Sequence, residues 1–187
     1  MERLDIYNLA IACFNQATLT AEDLSASPKS DLVATLDKWY MTALRKASQE
    51  HDWPFLEVKL KLSEDKGAGR GYAHSYTLPS DCSQLLWADG ERYYVSGNTL
   101  YSDGGPEAYG YVKSIIPTDE NGEPSSAVPE DFYDLVALAL AGYIAYSINP
   151  KMKTIIMNDY NSTGASLLSQ WLTFSRKNTE EDDLYVN

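Results

Sequence analysis

Apolar residues repeat with helical spacing at both ends of the chain and with alternating spacing in its middle. Near the N-terminus this spacing predicts a first helix, whose apolar face consists of Leu4, Tyr7, Ile11 and Phe14. A polar stretch, 18–30, follows. Ser30 is a residue type that caps helices, so a second helix is predicted after it, ending at Trp53-Pro54 because proline lacks a backbone donor. The apolar stripe of this second helix is Leu32, Leu36, Trp39, Ala43 and Ala47.

From Phe55 the apolar spacing changes to two, which predicts a half-buried strand. Its inward residues are Leu56, Val58, Leu60 and Leu62. Further strands are predicted at 74–78, 84–88, 92–95, 99–102 and 108–116. Asp89-Gly90 and Gly97-Asn98 are two-residue turns of the kind that close hairpins, so these strands are predicted to form an antiparallel meander.

A second pair of helices is predicted after the loop that ends at Val128. Pro129 suits the first turn of a helix, and Glu130, Asp131 and Asp134 complement its positive end. The buried stripe of this helix is Phe132, Leu135, Val136, Ala139 and Tyr143, and the small residues Ala137, Ala139, Ala141 and Gly142 predict that another helix packs unusually close to it. After Asn149-Pro150 a last helix is predicted from about Lys151 to Arg176, with an inner face of Ile156, Tyr160, Thr163, Leu167, Trp171 and Phe174.

These elements predict an α+β fold, in which an antiparallel bundle of about four helices carries an inserted antiparallel β-meander. The expected parts are an N-terminal helical pair at 1–54, an inserted β-subdomain at 55–117, a C-terminal helical pair at 118–176 and an acidic tail at 177–187.

The charge balance is strongly acidic, with 15 Lys and Arg against 27 Asp and Glu and a formal net charge of −12. A nucleic-acid-binding protein needs a basic stripe, so tight binding of DNA or RNA is excluded. Two interpretations of the acidity remain: it keeps the protein soluble, or it lines a passage through which DNA slides without being held. The 14 Tyr and 4 Trp favour contacts with other proteins.

Metal binding and disulfide bonding are not predicted. Cys13 and Cys82 lie far apart, and no histidine pair has metal-ligand spacing. The first residues lack the apolar core of a signal peptide, and no run long enough to span a bilayer is predicted. We therefore expect a protein that is made and folded in a reducing cytoplasm, without a membrane partner.

No catalytic residue or cofactor is predicted either. Neither His51 nor His74 has a Ser or Cys neighbour in an arrangement that marks a nucleophile. The run Gly67-Ala-Gly-Arg-Gly71 lacks the Lys-Ser/Thr of a phosphate-binding loop and is interpreted as a flexible loop. Two alternatives to a structural protein stay open. One is a small hydrolase or nuclease that uses His51, His74 and nearby carboxylates, and the other is a regulatory module that binds a small ligand in the β-meander.

The last residues combine an acidic run with apolar side chains. They are Glu180, Glu181, Asp182, Asp183, Leu184, Tyr185, Val186 and Asn187. Such a segment is either a solvated tail or a peptide that becomes ordered on a partner, with the carboxylates steering the encounter and the apolar residues as anchors.

Several segments, taken in order, resemble one known family. They are Ala43–Ala47 running to Trp53-Pro-Phe55, Tyr76-Thr-Leu-Pro79-Ser-Asp81, the Gly97 turn followed by Leu100-Tyr-Ser-Asp103, Gly110-Tyr111-Val, and Pro129-Glu-Asp-Phe132 before a Leu- and Ala-rich helix. The set is similar to the head-to-tail adaptor proteins of tailed bacteriophages, of the tail tubular protein A type. It covers most of 31–171, although 63–73 and 118–128 are longer than the family's usual connections.

The resemblance implies a structural subunit, not an enzyme. Adaptors of this family form a ring, dodecameric in the family, which lies beneath the portal protein, joins the capsid to the tail or nozzle protein and lets double-stranded DNA pass through its axis. The implied location is the head–tail junction of the virion, after assembly in the host cytoplasm. The family's C-terminal segment reaches into the portal, so Glu180 to Asn187 is the candidate portal-binding segment.

Overall fold

The computed structural model describes residues 1–63, 66–112, 117–119 and 121–182, with side chains as far as residue 172. The described part has five α-helices and two small antiparallel sheets, which confirms the predicted α+β class. It divides into two compact units. The helical unit comprises Met1–Phe55 and Ile116–Asn187, and the β unit comprises Leu56–Ile115, where the sequence predicts a subdomain at 55–117.

The α-helices of the helical unit are α1 (Arg3–Ala12), α2 (Ala21–Ser25), α3 (Asp31–Glu50), α4 (Glu130–Ile148) and α5 (Lys153–Asp182). Single 3₁₀ turns lie at Pro150–Met152 and at Pro54–Leu56, where the chain passes from one unit to the other. The predicted cap of α3 is confirmed, because the Ser30 side chain accepts a hydrogen bond from the Val33 amide at 3.3 Å. The short helix α2 lies in the polar stretch 18–30, for which no helix was predicted. Thr20 and Asp23 cap it reciprocally, side chain to backbone.

Helix α4 is the centre of the helical unit, since α1, α3 and α5 all pack against it. Its buried residues are Phe132, Tyr133, Leu135, Val136, Ala137, Ala139, Leu140, Ala141, Gly142, Ile144 and Ala145. The expectation that no run is apolar and long enough to span a bilayer was wrong for α4, whose 19 residues meet both criteria. Within the helical unit 61% of its apolar window is buried, which is the environment of a core helix.

The apolar stripes of the other helices follow the sequence pattern with some shifts. On α3, Leu36, Ala43 and Ala47 are buried as predicted, whereas Leu32 and Trp39 are half-buried because the inward face is centred one residue later. Helix α5 continues to Asp182, so the predicted end near Arg176 was wrong. Its last residues contain neither Gly nor Pro, and the backbone has no reason to leave the helix at Arg176.

Two tyrosines fix neighbouring parts of the helical unit. The Tyr7 hydroxyl on α1 donates to Asp37 Oδ1 on α3 at 2.7 Å, and Lys29 Nζ lies 2.5 Å from Asp37 Oδ2. The Tyr133 hydroxyl donates to the carbonyl oxygens of Pro117 at 2.8 Å and Ser125 at 3.0 Å, which holds the loop before α4. Burial raises the pKa of Tyr133 to about 12, so this phenol stays a donor at neutral pH.

The strands of the β unit are β1 (Val58–Lys59), β2 (His74–Thr77), β3 (Cys82–Ala88), β4 (Tyr93–Ser96), β5 (Thr99–Ser102) and β6 (Ala108–Val112). They form two antiparallel sheets, with the orders β1-β6-β3 and β2-β5-β4. Gly97-Asn98 closes the β4–β5 hairpin as predicted. The hairpin predicted at Asp89-Gly90 was wrong, because β3 and β4 belong to different sheets and the Asp89 backbone instead bonds to Glu107, beside β6.

The interior of the β unit is a small apolar cluster. Its buried members are Leu60, Tyr76, Leu78, Ala88, Leu100 and Ala108. The alternation predicted for 56–62 is confirmed in burial, since Glu57, Lys59 and Lys61 are exposed while Leu60 is buried. The strand itself is shorter than predicted, with Val58 and Lys59 alone paired to β6. Of the predicted strand 108–116, residues 113–116 lie outside the described part of the chain.

Candidate functional site

The predicted portal-binding segment is described only in part. Glu180, Glu181 and Asp182 form the last backbone turn of α5, at the end of the helix furthest along the chain from Lys153. Asp183, Leu184, Tyr185, Val186 and Asn187 lie outside the described residues.

The two histidines belong to different units, and each packs against aromatic rings of its own unit. His51 follows the last residue of α3, and its ring meets Trp53 edge-on at 5.2 Å. His74 begins β2, and its ring stacks on Tyr76 at 6.1 Å. Across the ranges that the structure describes, no group of three or more His, Cys, Asp or Glu side chains could hold a metal ion.

The carboxylates at the start of α4 interact with the positive end of the helix and with the amino group of the N-terminus. Glu130 accepts a hydrogen bond from the Met1 amino group at 2.9 Å. Burial, followed by the like charges of Asp131 and Glu130, raises the pKa of Asp134. Helix starts collect acidic residues for electrostatic reasons, and this arrangement is of that kind.

The glycine run forms a tight turn above the β2-β5-β4 sheet. Gly69 and Tyr72 exchange backbone hydrogen bonds at 3.1 and 2.9 Å. The Arg70 guanidinium lies 5.6 Å from the ring centres of both Tyr94 and Tyr101. Cation–π contact therefore directs the one basic residue of the run onto the sheet.

The edge strands of the β unit carry three exposed aromatic side chains. In the described part of the chain, β3 pairs only with β6 and β4 only with β5, so both lie at sheet edges. Trp87 on β3 is 46% exposed, and Tyr93 and Tyr94 on β4 are 41% and 45% exposed. We call these three residues the edge aromatics. An edge strand with exposed rings is a suitable surface for another protein chain.

The helical unit has a second aromatic surface, the aromatic groove, with a volume of about 370 Å³. Trp39, Tyr143 and Tyr146 supply its rings, and Lys46 and Lys153 stand beside them. The apolar spacing predicted Trp39 and Tyr143 to be buried in helix stripes, and no role was predicted for Tyr146. Tyr143 and Tyr146 are three residues apart, so they lie on one side of α4, and this spacing was the available signal.

Comparison with models of known protein families gives no match to this chain, and comparison with curated proteins gives none either.

Proposed function

We propose that this chain is a head-to-tail adaptor of a tailed bacteriophage, a structural subunit of a ring beneath the portal through which DNA leaves the capsid. The observation that carries the proposal is the ordered set of segments that resembles this family. In the structure Tyr76 lies on β2, Leu100 on the β5 side of the Gly97 turn, Tyr111 on β6 and Phe132 in the first turn of α4.

In this proposal the helices around α4 are an antiparallel bundle, and the β unit is its inserted subdomain. The contacts of α4 with α1, α3 and α5 support the first part. The chain order supports the second, because the β unit interrupts the helical unit between Phe55 and Ile116.

The edge aromatics support an assembling subunit. Rings of Trp and Tyr are enriched at protein interfaces, where they bury large areas at little cost in conformational entropy. A ring contact of ordinary size, about 800 Å² per partner, is sufficient because many contacts act together. We expect a monomer in dilute solution at low salt, since like-charged subunits resist closure, and a ring, dodecameric as in the family, once the portal is present.

The net charge of −12 supports the proposed passage of DNA. Phosphates are repelled by an acidic wall, so the duplex crosses the ring without tight binding. As in the family that the chain resembles, the candidate partners are the portal on one side of the ring and the tail or nozzle protein on the other.

The proposed portal attachment uses Glu180 to Asn187. We expect deletion of 182–187 to weaken co-sedimentation with portal while the far-UV circular dichroism spectrum stays unchanged. Unchanged co-sedimentation after the deletion would rule out attachment by this segment. Light scattering that shows stable rings without portal would contradict the proposed order of assembly.

The alternative proposal, a small hydrolase or nuclease, requires His51 and His74 to act on a substrate. A hydrolytic activity that disappears when both histidines are replaced by Ala would favour it. The further alternative, a module that binds a small ligand in the β unit, requires saturable binding that changes the chemical shifts of the cluster around Leu60 and Leu100.

A further inference from the structure

The aromatic groove is an open apolar surface in the helical unit. Trp39 of α3 and Tyr143 of α4 stack face to face, with ring centres 5.1 Å apart and an interplanar angle of 2°. Tyr146, one turn further along α4, is 66% exposed. Rings held in place by neighbours but open to solvent bind an apolar side chain with little loss of conformational entropy.

Small residues of α4 form the floor of the groove. Ala139 and Gly142 line it, and a Cβ atom at Gly142 would lie 2.6 Å from Met157 Sδ of α5. The Met157 side chain of α5 thus fills the space that a side chain at position 142 would take, and the unusually close helix packing predicted from the small residues of α4 stays a prediction. Met157 therefore lines the groove together with Ala139 and Gly142, and its flexible thioether adds to the apolar surface between the rings.

The rim of the groove is basic, in contrast to the charge of the whole chain. Lys153 Nζ lies 3.8 Å from the centre of the Tyr146 ring, and Lys38 Nζ lies 5.3 Å from that of Trp39. Lys46 also lines the groove and forms an ion pair with Glu50 at 2.8 Å. Three cations beside one apolar surface, with one paired carboxylate, fit an acidic segment that carries apolar side chains.

We propose that the aromatic groove of one subunit binds the C-terminal segment of a second copy of this chain. Residues 180–183 supply four carboxylates for the lysines, and Leu184, Tyr185 and Val186 supply apolar side chains for the rings. The proposal goes beyond the proposed function. It assigns a second receptor to the segment, which competes with the portal for it.

The length of α5 requires the segment to come from another subunit. The groove includes Lys153, the first residue of α5, and the helix has 30 residues, so Asp182 lies about 43 Å away along its axis. Residues 183–187 span at most about 17 Å when fully extended. The segment of the same chain therefore falls short of its own groove.

A photo-cross-linking experiment tests this assignment in the full-length chain. Tyr146 is replaced by p-benzoylphenylalanine, and ¹⁴N- and ¹⁵N-labelled subunits are mixed at a concentration well above the dilute range in which monomers are expected, irradiated and analysed by mass spectrometry. We expect cross-linked peptides of mixed isotope content that join position 146 to residues 183–187. Cross-links within one subunit, to another part of the chain, or to portal alone when portal is added would each overturn the proposal.

Binding of a labelled peptide of residues 178–187 to the full chain measures the contributions of rings and charges. We expect Tyr146→Ser and Lys153→Glu each to weaken binding about tenfold. Lys61→Glu, the same charge change at an exposed site of the β unit, is the matched control and should leave binding unchanged. If Lys61→Glu weakened peptide binding as much as Lys153→Glu does, docking in the groove would be contradicted. Binding of a scrambled peptide as tight as that of the native peptide would contradict it too.

Discussion

Trp53 in the helical unit and Trp87 in the β unit have opposite surroundings. Trp53 is 1% exposed, donates from Nε1 to the Ala47 carbonyl at 2.8 Å and packs against the rings of Phe55 and Phe132. Trp87 is 46% exposed and makes a tilted ring contact with Tyr109 at 5.9 Å. The helical unit thus uses a large aromatic residue for its own core, whereas the β unit presents one to solvent.

We infer from this difference that the helical unit supplies most of the stability, whereas the edge strands of the β unit supply one of the proposed association surfaces. The helical unit buries most of α4 and many large side chains, while the buried cluster of the β unit has six members. The β unit nevertheless exposes three large rings, the edge aromatics, on strands with an unpaired edge, while the exposed ring of the helical unit, Tyr146, lies in the aromatic groove. Side chains that contribute little to the fold are the ones free to contribute to an interface.

Replacing the two tryptophans is the strongest test of this comparison. We expect Trp53→Ala to lower the free energy of unfolding by about 3–5 kcal/mol, because it leaves a cavity and removes the donor to the Ala47 carbonyl. Trp87→Ala should cost less than about 1 kcal/mol. Urea unfolding followed by circular dichroism measures both. Equal losses in the two variants would break the comparison.

Removing edge aromatics should weaken association while leaving stability almost unchanged. We expect the double variant Trp87→Ser, Tyr93→Ser to bind the portal-attached ring at least about tenfold more weakly, with little change in its urea midpoint. Leu9→Ser, which removes a 42% exposed apolar residue of α1 away from the aromatic groove, is the control. If that control weakens binding as much as the double variant does, the loss does not come from the edge aromatics and the comparison fails.

The hairpin that carries two of the edge aromatics depends on its turn. Gly97 has φ of 60°, so Gly97→Ala should cost about 1 kcal/mol because a Cβ atom is strained in this region. Gly97→Asn should cost less, since Asn tolerates positive φ better. Thermal unfolding of the two variants checks the order, and a more stable Ala variant would contradict it.

The smallest expected effect concerns the ion pair between Lys29, which precedes α3, and Asp37 on that helix. Burial alone would raise the pKa of Asp37, but hydrogen bonds from Lys29 and Tyr7 outweigh it and the pKa is lowered. A lowered folded-state pKa stabilises the fold above the ordinary Asp value of about 3.9, and this stabilisation is lost as pH falls through the folded-state pKa. Asp37→Asn should therefore be less stable than the parent at about pH 7, and the difference should shrink on acidification. A stability difference between Asp37→Asn and the parent that grows at low pH would contradict this prediction.

Local signals were sufficient where the structure depends on neighbours in sequence. The Ser30 cap, the Gly97-Asn98 hairpin and the alternation around Leu60 were all predictable for this reason. The Thr20–Asp23 capping pair was also visible in the sequence, but the helix after it is only five residues long.

Distant partners account for what the sequence did not predict. Asp89-Gly90 has the composition of a hairpin turn, but β3 pairs with β6, and the Asp89 side chain accepts a hydrogen bond from the Gly105 amide at 2.8 Å. The aromatic groove likewise depends on how α3, α4 and α5 meet. The periodicity of apolar residues predicts which face of each helix points inward, but it does not predict which aromatic rings stay exposed where the helices meet.

Labelling of intact particles tests the central claim, that the chain is a structural subunit of the head–tail junction. Gold-labelled antibody against this chain would be applied to purified virions from which the tails have been detached, and the particles would be imaged by electron microscopy. We predict label at one vertex of each capsid. Label spread over the capsid, or virions that lack the chain altogether, would contradict the account.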